Sequence, residues 1–401
     1  LTQSSISLSS LLKAAGDLGV SNIDLFDVQY LSNKEMNILQ KERSSRRIFH
    51  NESFFSNDYN AEQFEWDANK STVYLNENNS PLLNTFVLAH SIAHQDFFQQ
   101  NKWFQARKIE LFRQRFLLKG FIKRTIADYG KDQVKETLYH LQTLSTYQYT
   151  ALHEDFFREL KDPRLSGFVP RMTSDSITPY LIHHSTRMKP WQKELAKLLR
   201  FEEEYYFLIK LSRIANEGWA TFWQRKILLN TSLTTHEKLQ FQEFESRMME
   251  LPCRELNVYS LGKKLWEQVP QKQLFSYRKV TSDFKLLTEH YNRMVHETEK
   301  ISIVSPGSSH QLMYIKDYDS VKKLLIDIHL FNLKPIILLD KELTYKTGHI
   351  TMRWMQGHQT IKEVKKVRSS IEFFYNGKVY MKPFECANIS SKDSDRIEPS
   401  G

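Results

Sequence analysis

The chain has 401 residues, a net charge of +9, 12 glycines, 11 prolines and two cysteines, with 40% hydrophobic and 13% aromatic content. That content is ample for buried cores, excludes a disordered or collagen-like chain, and at this length suits two or three domains. Cys253 and Cys386 are too few for a disulfide framework and point to a reducing compartment. No apolar run reaches the roughly eighteen residues that a transmembrane helix needs, and no signal-peptide pattern opens the chain, which begins with Leu1. The positive charge permits an anionic polymer as partner, but Arg46 and Arg47, or Lys362, Lys365, Lys366 and Arg368, have no zinc-finger or RNP pattern beside them, so nucleic acid is not the expected one.

In chain order, residues 1–40 read as one or two short helices around a turn at Gly19, and 43–74 as an irregular segment pinned by aromatic side chains. After Pro81 a helix runs to about Gln100, and helical periodicity continues over 102–129 and 132–157. The stretch 161–179 holds three prolines and a glycine in a polar setting and reads as a connecting loop. A helix is expected to start at Pro190, a favourable first helical position, followed by others over 203–229, 236–250 and 260–269. From about 301 the texture changes to short β-rich runs, ISIVS, QLMYI, PIILLD, GHITMRWM and KVYMKPF, interleaved with helical segments at 320–331 and 359–374. The expectation is a mainly α N-terminal domain over 1–300, a small, mostly antiparallel C-terminal α/β domain over 301–386, and a polar tail over 387–401.

The chemistry concentrates in NTFVLAHSIAHQDFFQQNKWF at 84–104. His90 and His94, four residues apart, lie one above the other on a helix, about 5.4 Å apart along its axis, and can grip one metal ion. The apolar residues around them, Val87, Phe97 and Phe98 among them, turn the pair into protein, where both imidazoles need partners. Glu217 lies among Trp219, Phe222 and Trp223, a carboxylate that wants a cation or hydrogen-bond donors. Ala220, Thr221 and Gln224 share its face, and Gly218 allows another backbone to come close. His90, His94 and Glu217 form a two-histidine, one-carboxylate set suited to one divalent ion, zinc, iron or manganese. His50, Asp96, Asn216 and Gln224 are the accessory candidates. Where zinc peptidases with two helical histidines carry a glutamate base directly after the first histidine, this chain has Ser91, leaving Asp96, Glu202, Glu203 or Glu204 to act as base. The competing reading is a closed polar network in which the histidines donate to Glu217 and Asp96 and tie two helices together without metal. No catalytic residue is assigned.

Several stretches together resemble the stage V sporulation protein R family, SpoVR. They are VLAHSIAHQDFFQQN at 87–101, NEGWATFW at 216–223 preceded by WQKELAKLLRFEEEYYF at 191–207, LNVYSLGKKLWEQV at 256–269, and RRIFHNESFF at 46–55, with a similar layout in the C-terminal module. The chain departs from the family pattern at Gln224, where the family has His. It departs again at Phe244, Glu245 and Ser246, where a family histidine is expected, and at Asn257-Val258-Tyr259 in place of Asn-Pro-Tyr. The resemblance implies a cytoplasmic bacterial protein of sporulation that takes part in forming the spore cortex, the peptidoglycan layer of the endospore. Two functions follow as expectations. One is a metal-dependent, hydrolase-like protein with water as nucleophile. The other is a non-enzymatic assembly or regulatory factor whose His/Glu network is structural and whose C-terminal module binds another protein.

Overall fold

The computed structural model describes residues 5–20, 26–38, 62–65, 71–105, 108–147, 149–161, 169–250, 256–306, 312–331, 335–355 and 360–384. His50, Arg46, Arg47, Cys253, Cys386 and the expected tail lie outside them. The chain is mainly helical with a small α/β part towards its C-terminus, and no described helix is long and apolar enough to cross a membrane. It forms two compact units, each built from two segments: Leu1–Phe112 with Phe207–Leu330, and Arg113–Tyr206 with Phe331–Gly401. This interleaving departs from the expected segments 1–300 and 301–386.

The reason for the departure lies in what the C-terminal strands pack against. Strands β6 (Ile336–Leu339), β7 (Ile350–Met355) and β8 (Val379–Pro383) make one sheet, antiparallel between β6 and β7 and parallel between β7 and β8. Ile337, Leu339, Ile350, Met352 and Val379 are buried in one core with Val134, Leu141 and Leu144 of helix Lys131–Ser145, Trp191 and Leu195 of helix Pro190–Leu211, and Val367, Ile371 and Phe374 of helix Thr360–Phe374. A three-stranded sheet cannot bury its apolar face alone, so it takes its cover from mid-chain helices. The first two C-terminal strands, β4 (Ile303–Pro306) and β5 (Leu312–Ile315), instead form an antiparallel hairpin of their own in the other unit. The expected strand and helix order is otherwise present, with an added short helix at Lys341–Thr347 capped by the Asp340 side chain.

The first unit carries a sheet that the sequence reading missed. Strand β1 (Phe26–Leu31) pairs in parallel with β3 (Ser71–Asn76), and β2 (Glu62–Glu65) pairs antiparallel with the other edge of β3. STVYLN alternates β-branched and aromatic residues, and Val73 and Leu75 are fully buried, so the signal was present inside a stretch dominated by polar residues. In the second unit, the expected helix over 132–157 breaks after Ser145 and restarts at Ala151, where Thr150 and His153 form a capping box.

At the centre of the first unit is the histidine helix, Pro81–Gln100, begun by Ser80 accepting from Leu83 N and by Pro81 in the first turn. Its residues from Asn84 to Phe98 are buried on every side, polar ones such as His90, His94 and Asp96 included, so those groups need partners inside the protein. It packs on helix Arg213–Leu229, which in turn packs on helix Val258–Gln268. The second crossing is glycine on glycine. A Cβ on Gly218 would meet Gly262 O at 2.6 Å, and one on Gly262 would meet Gly218 Cα at 2.6 Å, so the two backbones touch with no space for a methyl group. Trp266 Nε1 donates to Ala215 O at 2.8 Å and the Trp219 and Trp266 rings meet at 4.7 Å, fastening the pair on either side.

The expected helix over 203–229 is two helices, separated at Ser212. The break exposes the first amides of the Glu217 helix, and Asp283 takes two of them: Ile214 N donates to Oδ2 at 2.9 Å and Ala215 N to Oδ1 at 2.7 Å. A buried carboxylate at a helix N-terminus satisfies orphan donors and complements the helix dipole. A second buried carboxylate, Asp96 of the histidine helix, is ion-paired with Arg278 through both its oxygens and accepts from Trp219 Nε1 at 2.9 Å. Arg278 also lies over the Trp219 and Phe275 rings.

Two outcomes are expected from chemical denaturation of the purified chain. Gly262→Ala should lose about 3 kcal/mol or more of stability, because backbone rather than a movable side chain occupies the space. Arg278→Ala, which strands a buried Asp96 carboxylate, should lose about 3–5 kcal/mol.

Candidate metal centre

Three side chains from two crossing helices converge. His90 Nε2 lies 3.4 Å and His94 Nε2 3.3 Å from the same oxygen, Glu217 Oε2. The ligand atoms of the three residues all lie within 4.8 Å of one another, and no other such group of three occurs among the described residues. The imidazole rings stand nearly perpendicular, with centroids 4.5 Å apart. One turn of helix separates His90 from His94, and the tight packing of this helix on Arg213–Leu229 brings Glu217 against both. The two histidines are almost wholly buried, whereas the Glu217 side chain keeps 17% exposure.

Burial alone would raise the Glu217 carboxyl, but the positive charge at His94 and the hydrogen bonds from both histidines outweigh it and hold the group well below the usual carboxylate range. Glu217 is therefore an anion at any ordinary pH. A buried carboxylate facing two ring nitrogens is satisfied in either of two ways: both nitrogens carry protons and donate to it, or a cation sits among the three. The second fits the distances. Metal–ligand bonds of about 2.0–2.1 Å at tetrahedral angles put ligand atoms about 3.3–3.4 Å apart, which is the separation of each nitrogen from Oε2. The donor set suits zinc, iron or manganese alike.

The back of each imidazole is also engaged. His90 Nδ1 lies 3.3 Å from Gln224 Oε1, whose own Nε2 donates to Phe86 O at 2.8 Å, and His94 Nδ1 lies 3.0 Å from Asn216 Oδ1. Gln224, where the family pattern has His, thus stands behind a candidate ligand and away from Glu217 Oε2. Asp96, expected beside the histidines as partner or base, is instead bound to Arg278 and Trp219. The side chains of Glu202 and Glu203 lie outside the described residues, and Glu204 is a buried residue of the other compact unit. His140, on helix Lys131–Ser145, and His153, on helix Ala151–Leu160, contact Ser370 and Thr150 respectively.

One neighbour went unnoticed in the sequence: Tyr259, whose ring centroid is 6.0 Å from that of His90. Its stretch was singled out, but nothing local ties residue 259 to residue 90. The Phe244–Glu245 positions, where a family histidine was expected, are used structurally. Phe244 packs on Phe86, and Glu245 binds Arg225 at 2.7 Å and Lys263 at 2.8 Å.

Comparison with known proteins bears on what this arrangement belongs to. The family described as "SpoVR like protein" matches residues 65–162 and 149–366. The uncharacterized protein YcgB of Escherichia coli (strain K12) is 22% identical over 249 residues, which is 51% of this chain and 48% of YcgB, so the chain spans about half the length of that relative. No solved structure matches. Since the family match runs through both compact units and takes in the histidine helix, the Glu217 helix and the Gly262 helix, this chain belongs to the SpoVR family.

Proposed function

We propose that this chain is a metal-dependent protein of sporulation, with His90, His94 and Glu217 holding one divalent ion, and that it acts in formation of the spore cortex. The metal part of the reading rests on one observation: two histidine nitrogens each lie at a tetrahedral-edge distance from one carboxylate oxygen, with all three ligand atoms within 4.8 Å of one another. The sporulation part rests on the family, and the cortex on the resemblance described above. A cytoplasmic location, protein partners and an anionic polymer partner belong to the same reading, the last supported by the net charge of +9.

A divalent ion in such a site supplies Lewis acidity, polarising a substrate oxygen and acidifying water. The residues of the chain hold and orient it, and Glu217 is the least buried of the three, its side chain 17% exposed. They shield it as well, since His94 stacks on Phe98 and the Tyr259 ring flanks His90. A hydrolase-like activity is the reaction class this arrangement suits.

A second reading is favoured by the absence of a base on the histidine helix. Ser91 follows the first histidine, and Asp96, the one carboxylate on that helix, is bound to Arg278. On this reading the trio is a structural network in an assembly or regulatory factor, satisfied by protons on both imidazoles.

Elemental analysis by inductively coupled plasma mass spectrometry separates the two. In protein purified without a metal-affinity tag, close to one equivalent of zinc, iron or manganese is expected in the parent and little in His90→Ala or Glu217→Ala. A parent without metal, together with a Glu217→Ala variant that folds but melts at lower temperature, would sink the metal reading and leave the structural one. The melting shift in that case should correspond to about 1–3 kcal/mol, the penalty for stranding buried polar groups.

A further inference from the structure

Asn216 and Gln224 flank Glu217 on a single helix, one residue before it and seven after, and each presents a side-chain oxygen to the back of a different imidazole. The Gln224 amide has no freedom in which way it faces. Its nitrogen donates to Phe86 O at 2.8 Å, so its oxygen is the atom turned to His90, and an amide oxygen accepts only. The proton between Gln224 and His90 therefore belongs to Nδ1. At His94 the contacting atom is Asn216 Oδ1, at 3.0 Å, and an oxygen in that place likewise asks for the proton on Nδ1. With Nδ1 carrying the proton, the neutral imidazole has its lone pair on Nε2, and in both rings Nε2 is the atom that faces Glu217.

We infer that Asn216 and Gln224 are positioning residues for the metal centre: they hold both imidazoles in the Nδ1–H tautomer, with the Nε2 lone pairs aimed at the ion. This rests on the metal reading given above and adds to it the groups that preorganise the ligands. Neutral amides here fix ring orientation without competing for the metal, the work that a carboxylate or backbone carbonyl performs behind many histidine ligands. Because the Glu217 helix carries one ligand and both orienting groups, the three keep their mutual register as a rigid unit, and only the histidine helix must be placed against it.

The test is zinc affinity of the full chain, measured by competition with a chromophoric chelator, for the parent, Gln224→Leu, Asn216→Leu and Asn216→Asp. Each leucine variant should bind zinc about 10- to 100-fold more weakly than the parent, with its far-ultraviolet circular dichroism unchanged. Asn216→Asp, which still offers an accepting oxygen to His94 Nδ1, should stay within about threefold of the parent, a rescue that a purely packing role would not require. Long-range proton–nitrogen correlation spectra of the zinc-loaded parent should show both rings protonated at Nδ1. If a leucine variant fails to fold, Gln224→Met and Asn216→Ala, which also remove the accepting oxygen, carry the same affinity test. Folded variants within about twofold of the parent would overturn this inference while leaving the metal reading intact, whereas a ring protonated at Nε2 in the loaded parent would overturn both, since that nitrogen could not be a ligand. A parent that takes up no zinc, iron or manganese would overturn both.

Discussion

A carboxylate brought against two imidazoles inside a helical core is the constraint on which the first unit depends. Glu217 is costly to bury unless something positive meets it, and His90 and His94 meet it at 3.4 and 3.3 Å. For that contact to exist, the histidine helix and the Glu217 helix must lie close, in one register, with Nε2 of both imidazoles facing the carboxylate. Each neighbouring feature serves one of these demands. Asp283 caps the Glu217 helix and so defines where it begins, and Asp96 reaches from the histidine helix to Trp219 on the partner helix.

The far side of the Glu217 helix is held by contact of a different kind. Gly218 is the next residue after Glu217, and its backbone rests on that of Gly262. Directionless packing of this sort would let the helices slide, but the indole of Trp266 donates to Ala215 O one turn away and removes that freedom. The same helix is thus pinned through polar groups on one face and through bare backbone on another. Supports of this type hold the side chains of the helix in a fixed geometry.

The second unit shows a different economy. Its three-stranded sheet has no core of its own and shares one with helices drawn from far upstream in the chain, including Val134, Leu141 and Leu195. The texture change near residue 301 is real as a change of secondary structure but does not mark an edge between units. It reflects which segments are β-rich, whereas the unit is defined by which apolar faces cover each other.

Much of this was legible in the residues alone. Pro81 marked the start of the histidine helix, the i, i+4 spacing put His90 and His94 on one face, the bulk around Glu217 signalled a carboxylate in need of partners, and NEGWATFW with the upstream histidine pair carried the family. Local chemistry sufficed there, because caps, helical periodicity and near-neighbour faces depend on residues a few positions apart. What only the tertiary structure decided are the pairings across the chain. Asp96 was a candidate beside the histidines until Arg278, 182 positions away, took it. The break at Ser212 is intelligible only through Asp283, the tolerance at Gly218 only through Gly262, and the role of Gln224 only through Phe86 O and His90 Nδ1. The sequence determined which groups would need partners. Their choice of partner was left to the fold, because burial, not position along the chain, sets which donor and which acceptor meet.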